Sequence, residues 1–413
     1  MTATPHCRFC RTPLIHTFVD LGLQPLANSN LTAAQLAAGS EARYPLHARV
    51  CHACFLVQVD DAVPAEAIFD QDYAYFSSFS PSWVAHARRY AEAMTQRLNL
   101  GPESQVIEIA SNDGYLLQHF VEMGVPVLGI EPAANTAEAA RARGVATEVA
   151  FFNEETAKAL AARGVRADLM AANNVLAHVP DISAFAAGFR QVLKPEGVLT
   201  FEFPHLLKLI ELVQFDTIYH EHFSYLSLLA VEQVLRANGL RPFDVELLPT
   251  HGGSLRLFCC HADASWEETE ALADLRVREA AAGLGMIDTY LDFTPRVEAV
   301  RDSFRSYLAT AKAEGRRIAA YGAAAKGNTF LNYCGTTAAD IIAVFDANPA
   351  KQDHFLPGTH APILAPDKVR ELRPDDVLIL PWNLKDEIMT QLAYIADWGG
   401  RFVTASPRTE VVG

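Results

Sequence analysis

Val106-Ile107-Glu108-Ile109-Ala110-Ser111-Asn112-Asp113-Gly114 reads as a short apolar strand that runs straight into a polar turn closed by glycine. Outward from it, Val127 to Ile130, Leu169 to Ala172 and Val198 to Glu202 repeat the apolar run, separated by Ala-rich amphipathic stretches. That alternation is the βαβ rhythm of an open, parallel α/β sheet. Such sheets bind ligands outside the carboxyl ends of their strands, so the turn at 110–114 is where a cofactor belongs. The turn holds a single glycine, whereas a pyrophosphate loop wants the three of GxGxxG so that backbone amides can close on the phosphates. A cofactor without phosphates makes no such demand, because carbonyls, amides and side chains hold its ammonium and carboxylate. S-adenosylmethionine is one. Glu131 ends the second strand 17 residues beyond Gly114, where a doubly wound fold sets a carboxylate against ribose hydroxyls. This spacing suits NAD and S-adenosylmethionine alike. Asn173 and Asn174 leave the next strand at the same lip, in reach of the adenosine or methionine end.

The 413 residues, 50% hydrophobic and 20% charged, supply more than one core, and two or three domains are expected. A net charge of −15 repels a phosphate polymer, so no nucleic-acid partner is expected. No apolar run reaches the roughly 18 to 20 residues of a membrane span, and the N-terminus has neither a basic nor an apolar leader region, so the cytoplasm is the expected location. Seven cysteines, at 7, 10, 51, 54, 259, 260 and 334, make a poor disulfide framework. Cys7-Arg8-Phe9-Cys10 and Cys51-His52-Ala53-Cys54 are two CxxC turns that together offer four thiolates in a tetrahedron, the ligand set of zinc. Four protein ligands leave no position for water, so the metal is structural. The remaining three cysteines sit in apolar contexts and belong to the core.

Tyr219-His220-Glu221-His222 is a dense group of proton-handling side chains, preceded by Glu202, Pro204 and His205 at the end of the strand from Val198. His220 and His222, at i and i+2, share one side of an extended strand but not one face of a helix; with no HExxH and no third ligand, acid/base work is the better reading. His178, just past Asn174, is a second candidate base. His251-Gly252-Gly253-Ser254 precedes a strand-like Leu255 to Cys259; Gly253 and Ser254 suit either a phosphate or hydroxyl contact or a plain hairpin turn.

Residues 266 to 315 have long helical periodicity, and a second βαβ rhythm starts at Arg317. Gly322-Ala323-Ala324-Ala325-Lys326-Gly327-Asn328-Thr329 lies at its first strand-to-helix turn, where small residues allow close approach and the helix N-terminus and Lys326 favour an anion, a diphosphate above all. The strands Ile341 to Asp346 and Val377 to Leu380, the latter followed by Pro381-Trp382-Asn383, then frame the rest of a nucleotide.

These strings, with Thr217 to Tyr225 as one of them, resemble along the whole chain the bacterial nucleotide-sugar C-methyltransferases, and most the type that methylates C-3 of thymidine-diphosphate 4-keto-2,6-dideoxy sugars. The resemblance implies an α/β fold: a zinc-binding domain at 1–72, a class I Rossmann-like S-adenosylmethionine domain at 73–265, and a helical connection with a second Rossmann-like α/β domain at 266–413. It implies zinc on Cys7, Cys10, Cys51 and Cys54. Tyr73, Tyr75, Phe76, Ser77 and Ser78 would cover the methionine end of the cofactor, with Glu108, Ala110, Ser111, Asn112, Gly114, Glu131, Pro132, Asn173 and Asn174 around it. S-adenosylhomocysteine is the implied product. His222 would remove the proton next to the ketone, a task that suits neutral imidazole. Tyr219 would steady the enolate, Glu221 would orient the imidazole or hold a hydroxyl, and His178 would stand by as a further base. His205, Gly253, Ser254, Lys326, Asn328, Trp382 and Asn383 would meet the nucleotide-diphosphate keto-sugar. C-5 methylation of a related sugar is the near alternative. An NAD-dependent nucleotide-sugar oxidoreductase or epimerase is the distant one, and it lacks its Tyr-x-x-x-Lys pair here. A zinc module without catalysis would leave Tyr219, Glu221 and His222 idle. Oligomeric state is left open, a monomer being allowed.

Overall fold

A computed structural model describes residues 4–60, 63 and 76–412. Three sheets organise them. The middle one has seven strands in the order Leu240–Leu248, Ser254–His261, Leu193–Pro204, Ala167–Asn173, Val106–Ile109, Val127–Glu131, Thr147–Val149. Its neighbours are parallel except at Ser254–His261, which runs antiparallel between Leu193–Pro204 and Leu240–Leu248. A last strand inserted backwards beside the sixth is the class I methyltransferase topology, and the hairpin expected after Gly253 supplies it. The strands are buried and rich in Val, Ile, Leu and Phe, as helices on both faces require.

The N-terminal sheet is antiparallel, His16–Gln24, Tyr44–Val50 and Val57–Val59, and its fourth strand is Ser224–Tyr225 from the middle of the chain. The C-terminal sheet runs Ile363–Leu364, Val344–Phe345, Ile318–Tyr321, Asp376–Ile379, Arg401–Thr404 in parallel, then Glu410–Val412 antiparallel. The long periodicity before it resolves into helices Glu270–Ala281, Ile287–Leu291 and Phe293–Ala313, broken where Gly283 takes a left-handed conformation.

One hydrophobic core joins the N-terminal sheet, residues 206–225 and the inner face of the C-terminal sheet. Phe18 stacks on Phe293 with ring centroids 4.4 Å apart, and Phe215 packs against Phe330 and Tyr333. The segment carrying Tyr219 and His222 is therefore pinned between the N-terminal and C-terminal sheets. Among the described residues no helix is long and apolar enough to cross a membrane.

Candidate active site

The two CxxC turns adopt the same local fold. Cys7 N donates to Thr12 O and Arg11 N to Cys7 O, just as Cys51 N donates to Leu56 O and Phe55 N to Cys51 O. Arg11 and Phe55 are both left-handed, which turns each chain back after its second thiol. The four sulfurs converge: Cys7 and Cys54 are 3.6 Å apart, Cys10 and Cys51 3.4 Å, and all four lie within 4.8 Å of one another. A zinc tetrahedron with Zn–S near 2.3 Å needs sulfurs roughly 3.8 Å apart, so the set fits. Cys259, Cys260 and Cys334 are buried, as expected.

At the carboxyl edge of the middle sheet, the turn after Val106–Ile109 is held open by left-handed Ala110, Asn112 and Gly114. Two non-glycine residues in that region are a strain that the surroundings must hold, which is common at ligand sites. Glu131 provides the brace: its carboxylate accepts Asn112 N at 2.8 Å and Ala133 N, on the far side of Pro132, at 2.9 Å. Gly129 lets the turn settle on the sheet, since a Cβ there would lie 2.3 Å from Ser111 Oγ. Ser111 thus points its hydroxyl at the sheet, and its backbone closes the turn, the N–H donating to Ile130 O and the C=O accepting from Gly114 N. Burial pushes the Glu108 carboxyl well above the usual range, a hydrogen bond from Tyr115 opposing and Glu131 adding to the rise. Asn173 Oδ1 and Asn174 Oδ1 are buried with no partner among the described residues, facing the same lip. The Glu131 carboxylate and the unpartnered amide oxygens suit an uncharged ribose and a charged amino-acid tail.

Ser77 N donates to Asn112 Oδ1 at 2.9 Å, which sets the Phe76–Ser80 segment over the turn. Asp113, buried, takes Ser78 N and Oγ and pairs with Arg143 at 2.7 Å, while Arg143 also reaches Ser78 Oγ at 2.7 Å. The Asp113–Arg143 clamp went unseen in the sequence: Asp113 stands inside the motif, but nothing marks Arg143. Phe76 stacks on Phe79 rather than covering the turn by itself. Tyr73 and Tyr75 lie outside the described residues.

Across the lip, His222 Nδ1 lies 3.1 Å from Thr217 O and its Nε2 2.9 Å from Tyr219 Oη. A carbonyl only accepts, so Nδ1 carries the proton and Nε2 accepts from the phenol. His178 packs edge-on to His222, centroids 4.6 Å apart, and gives its own Nδ1 proton to Glu221 O at 2.8 Å. Burial holds both rings neutral: His178 falls to about 4, and His222 drops well below the ordinary imidazole value, with His178 deepening the shift. Both residues keep some solvent exposure, as the walls of a recess do. Of the two roles expected of Glu221, orienting His222 is not met. Its carboxylate accepts Asn28 Nδ2 at 2.6 Å from the N-terminal layer, and burial raises it. The carbonyl of Thr217 does the orienting instead. His220 donates no chemistry to the group; it is buried against Tyr44 and Pro45 O.

Beside this recess, Glu202 at the end of Leu193–Pro204 is fully buried. It pairs with Arg256 at 2.7 Å and His86 at 2.9 Å and takes Thr250 Oγ1 at 3.2 Å. Arg256 and His86 have no sequence signal, since neither falls in a motif. The pair fixes the turn bearing His251, which is left-handed, lies 5.4 Å from Trp83 and is lowered by burial to about 4.

The C-terminal sheet closes the far side. Lys326 Nζ sits 4.5 Å above the Trp382 ring and donates to Asn383 Oδ1 at 2.7 Å. Burial lowers it, Asp216 opposing. Trp382 lies over Gly252, where a Cβ would stand 2.3 Å from the ring. Lys326, Trp382 and Asn383 therefore share one wall with Gly252, while the expected Gly253 packs against Lys208 and its carbonyl accepts from His205 N. Three further expected contacts do not join them. His205 is buried and turned to Glu279 at 2.7 Å, a carboxylate that also caps Leu228 N and Leu229 N. Asn328 is buried and donates to Ala27 O at 3.2 Å. Ser254 gives its hydroxyl to Thr250 O at 2.9 Å within the hairpin. In each case a buried polar group was claimed by the nearest partner available, because leaving it unpaired is costly.

Comparison with known proteins finds three family models along the chain: a putative zinc binding domain at residues 7–69, a methyltransferase domain at 83–245 and a C-methyltransferase C-terminal domain at 249–407. The C-methyltransferase NovU of Streptomyces niveus is 34% identical over 98% of this chain and 96% of its own length. A ubiquinone biosynthesis O-methyltransferase of Rhodopseudomonas palustris is 26% identical over 33% of this chain, which spans 62% of that relative. Among solved structures, magnesium protoporphyrin IX methyltransferase from Synechocystis with bound SAH aligns with 43% of this chain and 83% of its own, at 16% identity and TM-score 0.35.

Proposed function

We propose, from the premise that this chain belongs to the zinc-bearing C-methyltransferase family and uses S-adenosylmethionine, that it methylates C-3 of a nucleotide-linked 4-ketohexose through an enolate. The observation that carries the reading is the His222–Tyr219 pair, 2.9 Å apart and kept neutral by burial, with His178 edge-on beside it. When bound, the cofactor supplies an electrophilic methyl group. The chain does the rest. Lys326 and the turn 322–327 hold the diphosphate at a helix N-terminus, which leaves the sugar ring toward the recess. The 4-ketone oxygen takes the place of His222 Nε2 as the partner of the Tyr219 hydroxyl. That frees the imidazole lone pair to remove the C-3 proton, and the phenol's hydrogen bond strengthens as charge grows on oxygen. The C-3 carbanion is then aligned with the crevice formed by Glu131, Asn112 and Asn173, and alignment supplies much of the rate. The phosphate site, the shared core and the thiolate knot suit a cytoplasmic enzyme of deoxysugar biosynthesis. Incubating the enzyme with a 4-keto-sugar nucleotide in deuterated water, without methyl donor, should exchange the C-3 hydrogen. Exchange at C-5 alone would move the reaction to that carbon, and none at all would remove the enolate.

A further inference from the structure

Asp216 stands one residue before the carbonyl that orients His222, and its side chain reaches into the C-terminal layer. It is 1% exposed, in the short turn Phe215–Thr217. Its Oδ2 accepts the indole Nε1–H of Trp382 at 2.7 Å, across 166 positions of sequence. Trp382 in turn lies under the Lys326 ammonium, whose charge faces Asp216. The same turn is gripped a second time by the helix Ala325–Tyr333, whose second residue is Lys326, through Phe330 and Tyr333 on Phe215. On its other end the turn is tied to the His251 hairpin by Gln214 Nε2 to Gly252 O, 2.9 Å.

We infer that Asp216 is a positioning residue: through Trp382 it links occupancy of the Lys326 anion site to the orientation of the His222 ring held by Thr217. The inference rests on the reading of Lys326 as the diphosphate holder. A diphosphate that draws the Lys326 ammonium toward itself relieves its pull over the indole, and Trp382 and Asp216 adjust together. Thr217 O moves with them. A buried carboxylate on a turn with no ligand role would otherwise be a poor choice for that position, since an apolar residue would pack as well at less desolvation cost.

The test uses inorganic pyrophosphate and enzyme labelled with ¹⁵N at histidine, the His222 signals being assigned by their loss in His222→Asn. Pyrophosphate should shift the His222 ring resonances in the wild type and in Asp216→Asn, which keeps an acceptor for the indole. Asp216→Ala should bind pyrophosphate within about threefold of wild type yet leave His222 unshifted, and its kcat at saturating substrates should fall about ten- to a hundredfold with KM little changed. Binding without a His222 response in the wild type, or wild-type kcat in Asp216→Ala, overturns the inference and leaves the substrate reading standing. No binding to the wild type, or undiminished binding to Lys326→Gln, overturns the substrate reading and this inference with it. If Asp216→Ala does not fold, Trp382→Phe removes the donor from the other side and is judged by the same resonances.

Discussion

His222 and His178 each spend Nδ1 on a main-chain carbonyl, so their tautomers are set by backbone rather than by a carboxylate. A main-chain oxygen fixes the ring without raising its proton affinity as an anion would, and burial then keeps the base neutral and ready. The expected consequence is direct: the ¹⁵N shifts of both rings should remain those of neutral imidazole down to pH 5, since His178 lies at about 4 and His222 well below the ordinary value. Titration near 6.5 would show water-filled surroundings instead. Replacing His222 by Asn should lower turnover by about 10²- to 10⁴-fold while calorimetry finds S-adenosylmethionine affinity unchanged. Tyr219→Phe should cost about 10²-fold, all of it in kcat.

At the level of elements, the cofactor turn depends on a glycine in the neighbouring strand. Gly129 is not left-handed, so its value is space alone: Ser111 Oγ occupies the place of its Cβ. Gly129→Ala should therefore lift the 110–114 turn, with about 1–3 kcal/mol of lost stability in a denaturant melt. It should also weaken S-adenosylmethionine binding by about tenfold, 1.4 kcal/mol. Adding Ser111→Gly should recover most of both. If the single variant melts and binds like wild type, the turn is not seated as described.

For the whole molecule, the salient joint is the strand Ser224–Tyr225, which completes the N-terminal sheet by pairing with Val57–Val59. Three residues later in the chain than Glu221, it ties the zinc layer to the proton-transfer group. A structural zinc contributes on the order of 10 kcal/mol to the fold around it. Cys51→Ser should thus lose zinc and methyl transfer together, metal content and activity falling in proportion across partly loaded preparations. Activity that survived zinc loss would mean the knot and the catalytic segment fold independently.

Features that depend on near neighbours are legible in the sequence alone: the paired CxxC turns, the strand-to-turn passage from Glu108 to Gly114, the carboxylate at Glu131, and the small-residue turn before Lys326. Each is a spacing along one stretch of chain, and backbone geometry turns spacing into shape. The partnerships were not legible. His205 and Asn328 looked as available as His222, yet Glu279 and Ala27, 74 and 301 positions away, claimed them. Glu221 went to Asn28, 193 positions off, and the His86–Glu202–Arg256 group assembled from three distant elements. A side chain's type states what bonds it can make; which of them it makes is settled by what the packed core brings beside it, since a buried polar group takes the partner at hand.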